Sequence, residues 1–401
     1  MRVQALLQKI FIKSRSVLDK RLYRLVLEVS ETLSIHKKLS IFGLGRALGR
    51  TAKVKHNIKT VDRLFGNKAL TAQRVSFYQD CASHLIGNTT RPRIIVDWSG
   101  LTPCGAFHFL RASVPVGGRA LPLLDMAFEL KDYQTPKSHR LFIDILKTIL
   151  PPDCRPIVIT DAGFRCPWFQ LIKSVGWDFV GRVRNNTQYQ DIETGKRLSI
   201  KALYARASTK ANFLLKIMLA KANPVSCYFF LIKDKKKNRV KKNLIGKKVQ
   251  CSASKKHEKG ENEPWLIVTS LMPTEYSPHT IILLYRMRMQ IEEGFRDLKN
   301  PKNGLSLRQC RSYTVDRLNV ALLLSAIAML LLWILGLVAK SQKLHFGYQA
   351  NTTRTRNVLS NFMIGWQVLT RDLNKISQLD FFKELRQLTL TLESEDWINA
   401  V

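Results

Sequence analysis

The chain has 401 residues, 45% hydrophobic and 24% charged, a balance that excludes a disordered or fibrous protein and allows two or three domains around at least one sizeable core. Lys and Arg number 65 against 30 Asp and Glu, a net charge of +35. An excess of that size repels itself unless a polyanion neutralises it, and a nucleic-acid backbone is the commonest such partner.

The seven cysteines are odd in number and none has C-x-x-C spacing, which points to reduced thiols in a cytosolic protein. The first 25 residues mix charges into every apolar stretch, so no signal-peptide core is expected there.

Residues 1 to about 70 read as helical. Apolar positions in 39–49 recur at helical spacing and stop on a glycine. Residues 54–65 (VKHNIKTVDRLF) form a second amphipathic helix whose Lys55, His56, Lys59 and Arg63 make a basic face. Two short helices around a turn, the second basic, fit a helix-turn-helix. An ordinary helical pair with a solvated face fits the same pattern.

From residue 93 the period changes. A short apolar strand at 94–98 precedes two longer ones, 109–116 and 120–128, around the hairpin signal Gly117-Gly118. A helix at 138–150, a strand at 156–160, a helix at 167–175 and a strand at 177–183 follow. That order describes a mixed α/β sheet. Between 184 and 274 the pattern breaks into short strands such as 227–232 and 265–270. They flank a Lys-rich loop, 233–259, with twelve Lys or Arg against Asp234 and Glu258.

Ser277 as a cap and Pro278 in the first turn start a helix expected to run unbroken to about residue 299, with Pro301 beyond it. Residues 320–338 carry no charge between Arg317 and Lys340. Their length suits either a bilayer of ~30 Å or a helix buried on all sides. Residues 341–401 read as a polar, helix-rich tail.

Phosphoryl transfer without a covalent enzyme intermediate needs divalent metals, and magnesium needs hard oxygen ligands from several elements. Asp97 ends the first strand and Asp161 follows the fourth, where α/β sheets place ligands. Either alone could be a turn or capping aspartate. Glu292 is the third candidate. On one continuous helix, Tyr285, Arg288, Glu292 and Lys299 fall within about 60° of one another. A phenol, a guanidinium, a carboxylate and an ammonium replace the usual apolar stripe, which suits a helix meeting metal and phosphate together. A merely solvated face remains the alternative.

Here the chain resembles a known family. Tyr285-x2-Arg288-x3-Glu292-x6-Lys299 has the residues and gaps of the YREK signature of bacterial DDE transposases of insertion-sequence family four. Asp161 within DAGF and the strand-ending Asp97 also match. KHNIKTVDRLFGN, LRASV, DAGFRCPW, EPWLIVTSL and NVLSNFMIGWQVL are similar to the insertion-sequence-ten group of that family. The likeness runs from about residue 39 to 370. It departs at Trp98-Ser99-Gly100, where the family carries an acidic residue at the last position.

The resemblance implies a ribonuclease-H-like α/β fold over about 90–340, with a mostly β insertion at about 185–275 before the catalytic glutamate. A helical DNA-binding domain at 1–75 would precede it, and a helical region at 341–401 would follow. Asp97, Asp161 and Glu292 would be the catalytic, metal-binding triad for two magnesium ions. Tyr285, Arg288 and Lys299 would hold phosphates at the transposon end. Trp265 and Met289 would stack against a flipped base, while core packing suits the same residue types. Lys55, Lys59 and Arg63 would meet DNA. The implied activity is cut-and-paste transposition by nicking, hairpin formation and resolution, and strand transfer. Its partners would be terminal inverted repeats, target DNA and a second subunit in the synaptic complex, in the bacterial cytoplasm at the nucleoid. Residues 320–338 then read as the core helix after the glutamate rather than a membrane span. A transposase-derived DNA-binding protein that no longer cuts is the alternative.

Overall fold

The computed structural model describes residues 2–184, 187–233, 251–252, 263–353 and 356–394. Among these, six helices come first: α1 (Val3–Ile10), α2 (Ile12–Val17), α3 (Lys20–His36), α4 (Ile41–Ala47), α5 (Val54–Phe65) and α6 (Lys68–Leu85). Strands β1 (Arg93–Gly100), β2 (Phe107–Pro115) and β3 (Ala120–Glu129) follow, then α7 (Pro136–Ile149), β4 (Ile157–Thr160), α8 (Cys166–Ser174) and β5 (Asp178–Val183). Next are β6 (Gln188–Asp191), β7 (Arg197–Ser199), β8 (Asn212–Leu219), β9 (Val225–Ile232) and β10 (Trp265–Thr269). The last described helices are α9 (Pro278–Arg286), α10 (Met289–Lys299), α11 (Val315–Ser341), α12 (Asn361–Gln367) and α13 (Gln378–Glu393). The Lys-rich run at 233–259 lies outside the described residues, except for Lys233, Cys251 and Ser252.

The elements fall into two compact units, Met1–Pro156 with Met289–Val401, and Ile157–Arg288. In the first, β1, β2 and β3 form an antiparallel meander. Helix α11 is the centre of its core and packs on α3, α5, α6, α12, α13 and β3. By length and composition α11 could cross a membrane, yet 94% of its apolar window is buried inside the protein. Burial on every side explains why its sequence shows no polar face. Two glycines let α11 and α12 touch backbone to backbone. A Cβ on Gly365 would stand 1.8 Å from the Leu332 carbonyl oxygen, and one on Gly336 would stand 2.0 Å from that of Asn361.

In the second unit the strand order is β4-β5-β10-β9-β8-β6-β7. The β4–β5 pair is parallel, joined through α8, and the remaining pairs are antiparallel. The chain is therefore a mixed α/β protein, as its strand and helix pattern leads one to expect.

One expected element is not continuous. The helix starting at Ser277 ends at Arg286 and restarts at Met289. Arg288 N–H reaches back three residues to the Tyr285 carbonyl at 3.1 Å, so the last turn tightens. No Gly or Pro marks this point in YRMRMQ. Met287 is buried there at 3% exposure. Tyr285 and Arg288 thus belong to one unit, and Glu292 and Lys299 to the other. The one continuous helix expected from Ser277 to about residue 299 is therefore two helices.

Candidate active site

In the first unit, Asp97 sits half-buried on β1, opposite Arg111 of β2, which is itself opposite Asp125 of β3. Cross-strand neighbours share a face. Arg111 and Asp125 are both fully buried and form a two-pronged ion pair, with 2.7 Å in each arm. Burial pushes the Asp125 carboxyl up, against the pull of Arg111. One oxygen of Asp97 accepts the Trp98 backbone N–H at 2.8 Å.

Helix α10 packs on β1, β2 and β3. Phe295 meets Phe109 edge to face at 5.3 Å, and Gly294 lets the helix pass close to the Ala120 carbonyl. Glu292 is exposed in the first turn of α10, where the helix dipole favours a carboxylate. Lys299 ends the helix and donates to the Ser99 hydroxyl at 2.5 Å, two residues along β1 from Asp97 and on the same face. Its ammonium lies 5.5 and 5.4 Å from the centres of Phe109 and Phe295. Burial first, then Arg308 and Arg111, bring the Lys299 ammonium down to about 8, while Asp97 pulls the other way. This cation is short of negative charge, which is what a phosphate supplies.

In the second unit, Asp161 directly follows β4 and accepts the Gly163 N–H at 2.8 Å, fixing the turn. Tyr285 on α9 is buried and meets Trp265, the first residue of β10, edge to face at 5.3 Å. Burial raises the Tyr285 phenol; Arg288, which hydrogen-bonds to it, and Arg182 pull it down, and Asp161 raises it. The Arg182 guanidinium carbon stands 5.8 Å from the Trp265 ring centre, and its Nη2 reaches the carbonyls of Glu263 and Pro264. Glu263 also accepts from Arg184 at 2.7 Å.

Asp97, Glu292, Lys299 and Met289 therefore belong to the first unit; Asp161, Tyr285, Arg288 and Trp265 belong to the second. Met289 is 45% exposed. Lys55, Lys59 and Arg63 are all exposed on α5, four residues apart and so on one face. Helix α4 crosses α5 closely, because a Cβ on Gly45 would meet the Ile58 backbone at 2.5 Å. Sequence reasoning passed over Ser99, Arg182 and Glu263. A serine and a strand arginine carry no local signature, and only the close approach of α10 to β1 and of β10 to β5 gives them partners.

The donor set suits a divalent metal, since the three candidate carboxylates offer hard oxygen ligands with neither thiol nor imidazole among them. Among the described residues, no three His, Cys, Asp or Glu side chains already stand grouped as ligands. Asp97 lies within β1, three residues before its end at Gly100, so the strand does not end there as its apolar pattern predicts; only Asp161 follows a strand directly. These two carboxylates, the one that opens α10, the half-buried Lys299 ammonium and the buried Tyr285 phenol are groups suited to an enzyme that acts on phosphates. A family model described as the Transposase DDE domain matches residues 88–331, more than half of the chain, and the chain belongs to that family. It is a DNA transposase, a metal-dependent enzyme that cleaves and transfers DNA. No curated protein matches it. Among solved structures, the cryo-electron-microscopy structure of a piggyBac transposase synaptic complex with hairpin DNA is similar at 12% identity, over 97% of this chain and 81% of that one. Its TM-score is 0.39.

Proposed function

We propose that this transposase belongs with insertion-sequence family four, near its insertion-sequence-ten group, and moves its element by cut and paste. The observation that carries the reading is Lys299. The residue that closes the YREK spacing lies half-buried against Ser99, beside the strand of Asp97, with its charge undercompensated. The three antiparallel strands, the helix and the parallel β4–β5 pair support a ribonuclease-H-like catalytic domain over about 90–340. Strands β6 to β10 support a mostly β insertion at about 185–275. The six leading helices and the basic α5 support a DNA-binding domain at 1–75, and α12 and α13 a helical region within 341–401.

In this reading Asp97, Asp161 and Glu292 hold two magnesium ions, which when bound would activate the attacking oxygen and stabilise the leaving one. Lys299, Arg288 and Tyr285 bind phosphates of the transposon end. The phenol, neutral at physiological pH like any tyrosine, donates a hydrogen bond, while a diester beside Lys299 favours its charged form. Trp265 and Met289 offer apolar surface to a base turned out of the duplex. Lys55, Lys59 and Arg63 contact the terminal inverted repeats, and two subunits join two ends before hairpin resolution and strand transfer. The protein works in the bacterial cytoplasm at the nucleoid.

The test is cleavage of DNA carrying the flanking element's end, in magnesium, by wild type and by Asp161→Ala. Wild type is expected to cut the end and leave a hairpin; the variant is expected to bind with similar affinity and cut at least about 10³-fold more slowly. Binding without cutting by the wild type would identify a DNA-binding relative that has lost the reaction.

A further inference from the structure

We infer that the outer strands of the second unit carry a stacking site for unpaired DNA bases, built on Phe213, Tyr228 and Lys216. The inference rests on the transposase reading for its biological use but not for its binding chemistry. In the β8–β9 pair, Lys216 lies opposite Tyr228 and Phe213 opposite Phe230, with an irregularity in the register between Phe213 and Leu215. Such a bulge re-aims a side chain. Phe213 is 41% exposed, and its ring stands 5.5 Å from Phe230 and 6.3 Å from Tyr228. The Lys216 ammonium lies 5.8 Å from the Tyr228 ring centre.

The register places these residues on the same sheet face as Trp265. Phe230 is opposite Ile267 on β10, and Trp265 is two residues earlier on that strand. Ile217, Cys227 and Phe229 lie on the opposite face and are buried; on the Trp265 face Phe230 and Ile267 are buried as well, Tyr228 is half-buried, and Phe213 and Lys216 are exposed. An exposed phenylalanine beside a tyrosine and an ammonium could serve many ligands, but the surrounding charge selects one. From residue 196 to 233 the chain carries eight Lys or Arg and no Asp or Glu. Cations with aromatic faces between them fit a single strand, whose backbone follows the charge while its bases lie on the rings. Duplex DNA fits less well, because its bases are stacked on one another and offer no free face. A transposon end that is nicked and unpaired supplies such bases.

The experiment uses the full-length protein in EDTA, so that no cutting enters the result. Fluorescence anisotropy measures the affinity for an oligothymidylate of about 12 nucleotides, within the usual span of such sites, and for a duplex of matched length. Phe213→Ala is expected to weaken single-strand binding about tenfold and to change duplex binding less than about twofold. Phe213→Tyr is expected to restore it. Lys216→Ala should weaken both, with a shallower salt dependence. Unchanged single-strand affinity in Phe213→Ala, or an equal loss on both DNAs, would overturn the proposal. Failure of the wild type to cut in magnesium would count against the transposition mechanism while leaving this binding result standing.

Discussion

His139 shows how one buried group ties pH to stability. The Trp98 indole N–H donates to its Nε2 at 3.1 Å, so that nitrogen must be unprotonated. Burial brings the imidazole down to about 4. Above pH 6.5 the residue is neutral in both folded and unfolded chains and costs nothing. As the pH falls from 6.5 towards 4 the unfolded chain takes up the proton first, and stability is lost across that window, by up to about 3 kcal/mol. His139→Gln keeps an acceptor for the indole but cannot titrate. Denaturant unfolding at pH 7 and pH 4.5 should therefore show a smaller drop for the variant than for wild type; equal drops would refute the assignment. The Trp98–His139 contact was beyond reach of the sequence, because 41 residues separate the partners. Asp161 was legible as a carboxylate following a strand, since strand patterns are local, whereas β1 runs on past Asp97 to Gly100 because its pairing with β2 extends the strand. The partner of Lys299 was not, since Ser99 stands 200 residues away.

Among the elements, α5 follows its sequence pattern residue for residue, and α7 and β3 do so within a residue or two. Amphipathic spacing and Gly or Pro stops are properties of a short window. Strand β8 was harder to read. NFLLKIML presents an almost continuous apolar run, and the irregularity at Phe213 breaks the alternation that announces a strand. The α9–α10 break was not legible, for no Gly or Pro marks it in the sequence. The α11–α12 crossing gives a sharp test. Gly365→Ala would drive a methyl into the Leu332 carbonyl and force the helices apart. Thermal or denaturant unfolding should show a loss of about 2 kcal/mol or more. Gly49, with nothing within 4 Å of its added Cβ, is the control, and Gly49→Ala should lose far less. If both variants match wild type, the close crossing is wrong.

For the whole molecule, the net charge of +35 makes affinity for DNA a salt-dependent quantity. If end binding neutralises about eight phosphates, log affinity falls against log salt with a slope near −7, about 10⁴-fold between 50 and 200 mM. Replacing Lys55, Lys59 and Arg63 together by alanine should make that slope shallower by about three if α5 lies on the backbone. An unchanged slope in the triple variant would remove α5 from the interface, and a flat slope in the wild type would remove the electrostatic account altogether. The charge could be counted from composition alone. Its arrangement on the basic face of α5 and on the outer strands of the second unit needs the fold.

By itself the sequence determined the alternation of strands and helices and the excess of positive charge, and it supplied the carboxylates and cations proposed for phosphate chemistry. Each depends on composition or on a window of a few residues, where backbone geometry and side-chain period suffice. Only the tertiary structure decided that α11 is wrapped by other helices, that a turn holding Arg288 separates Tyr285 on α9 from Glu292 and Lys299 on α10, and that Ser99 receives Lys299. It also decided that Phe213 faces outward beside Tyr228. These outcomes come from contacts between distant parts of the chain, whose packing overrides the small local preferences that a sequence displays.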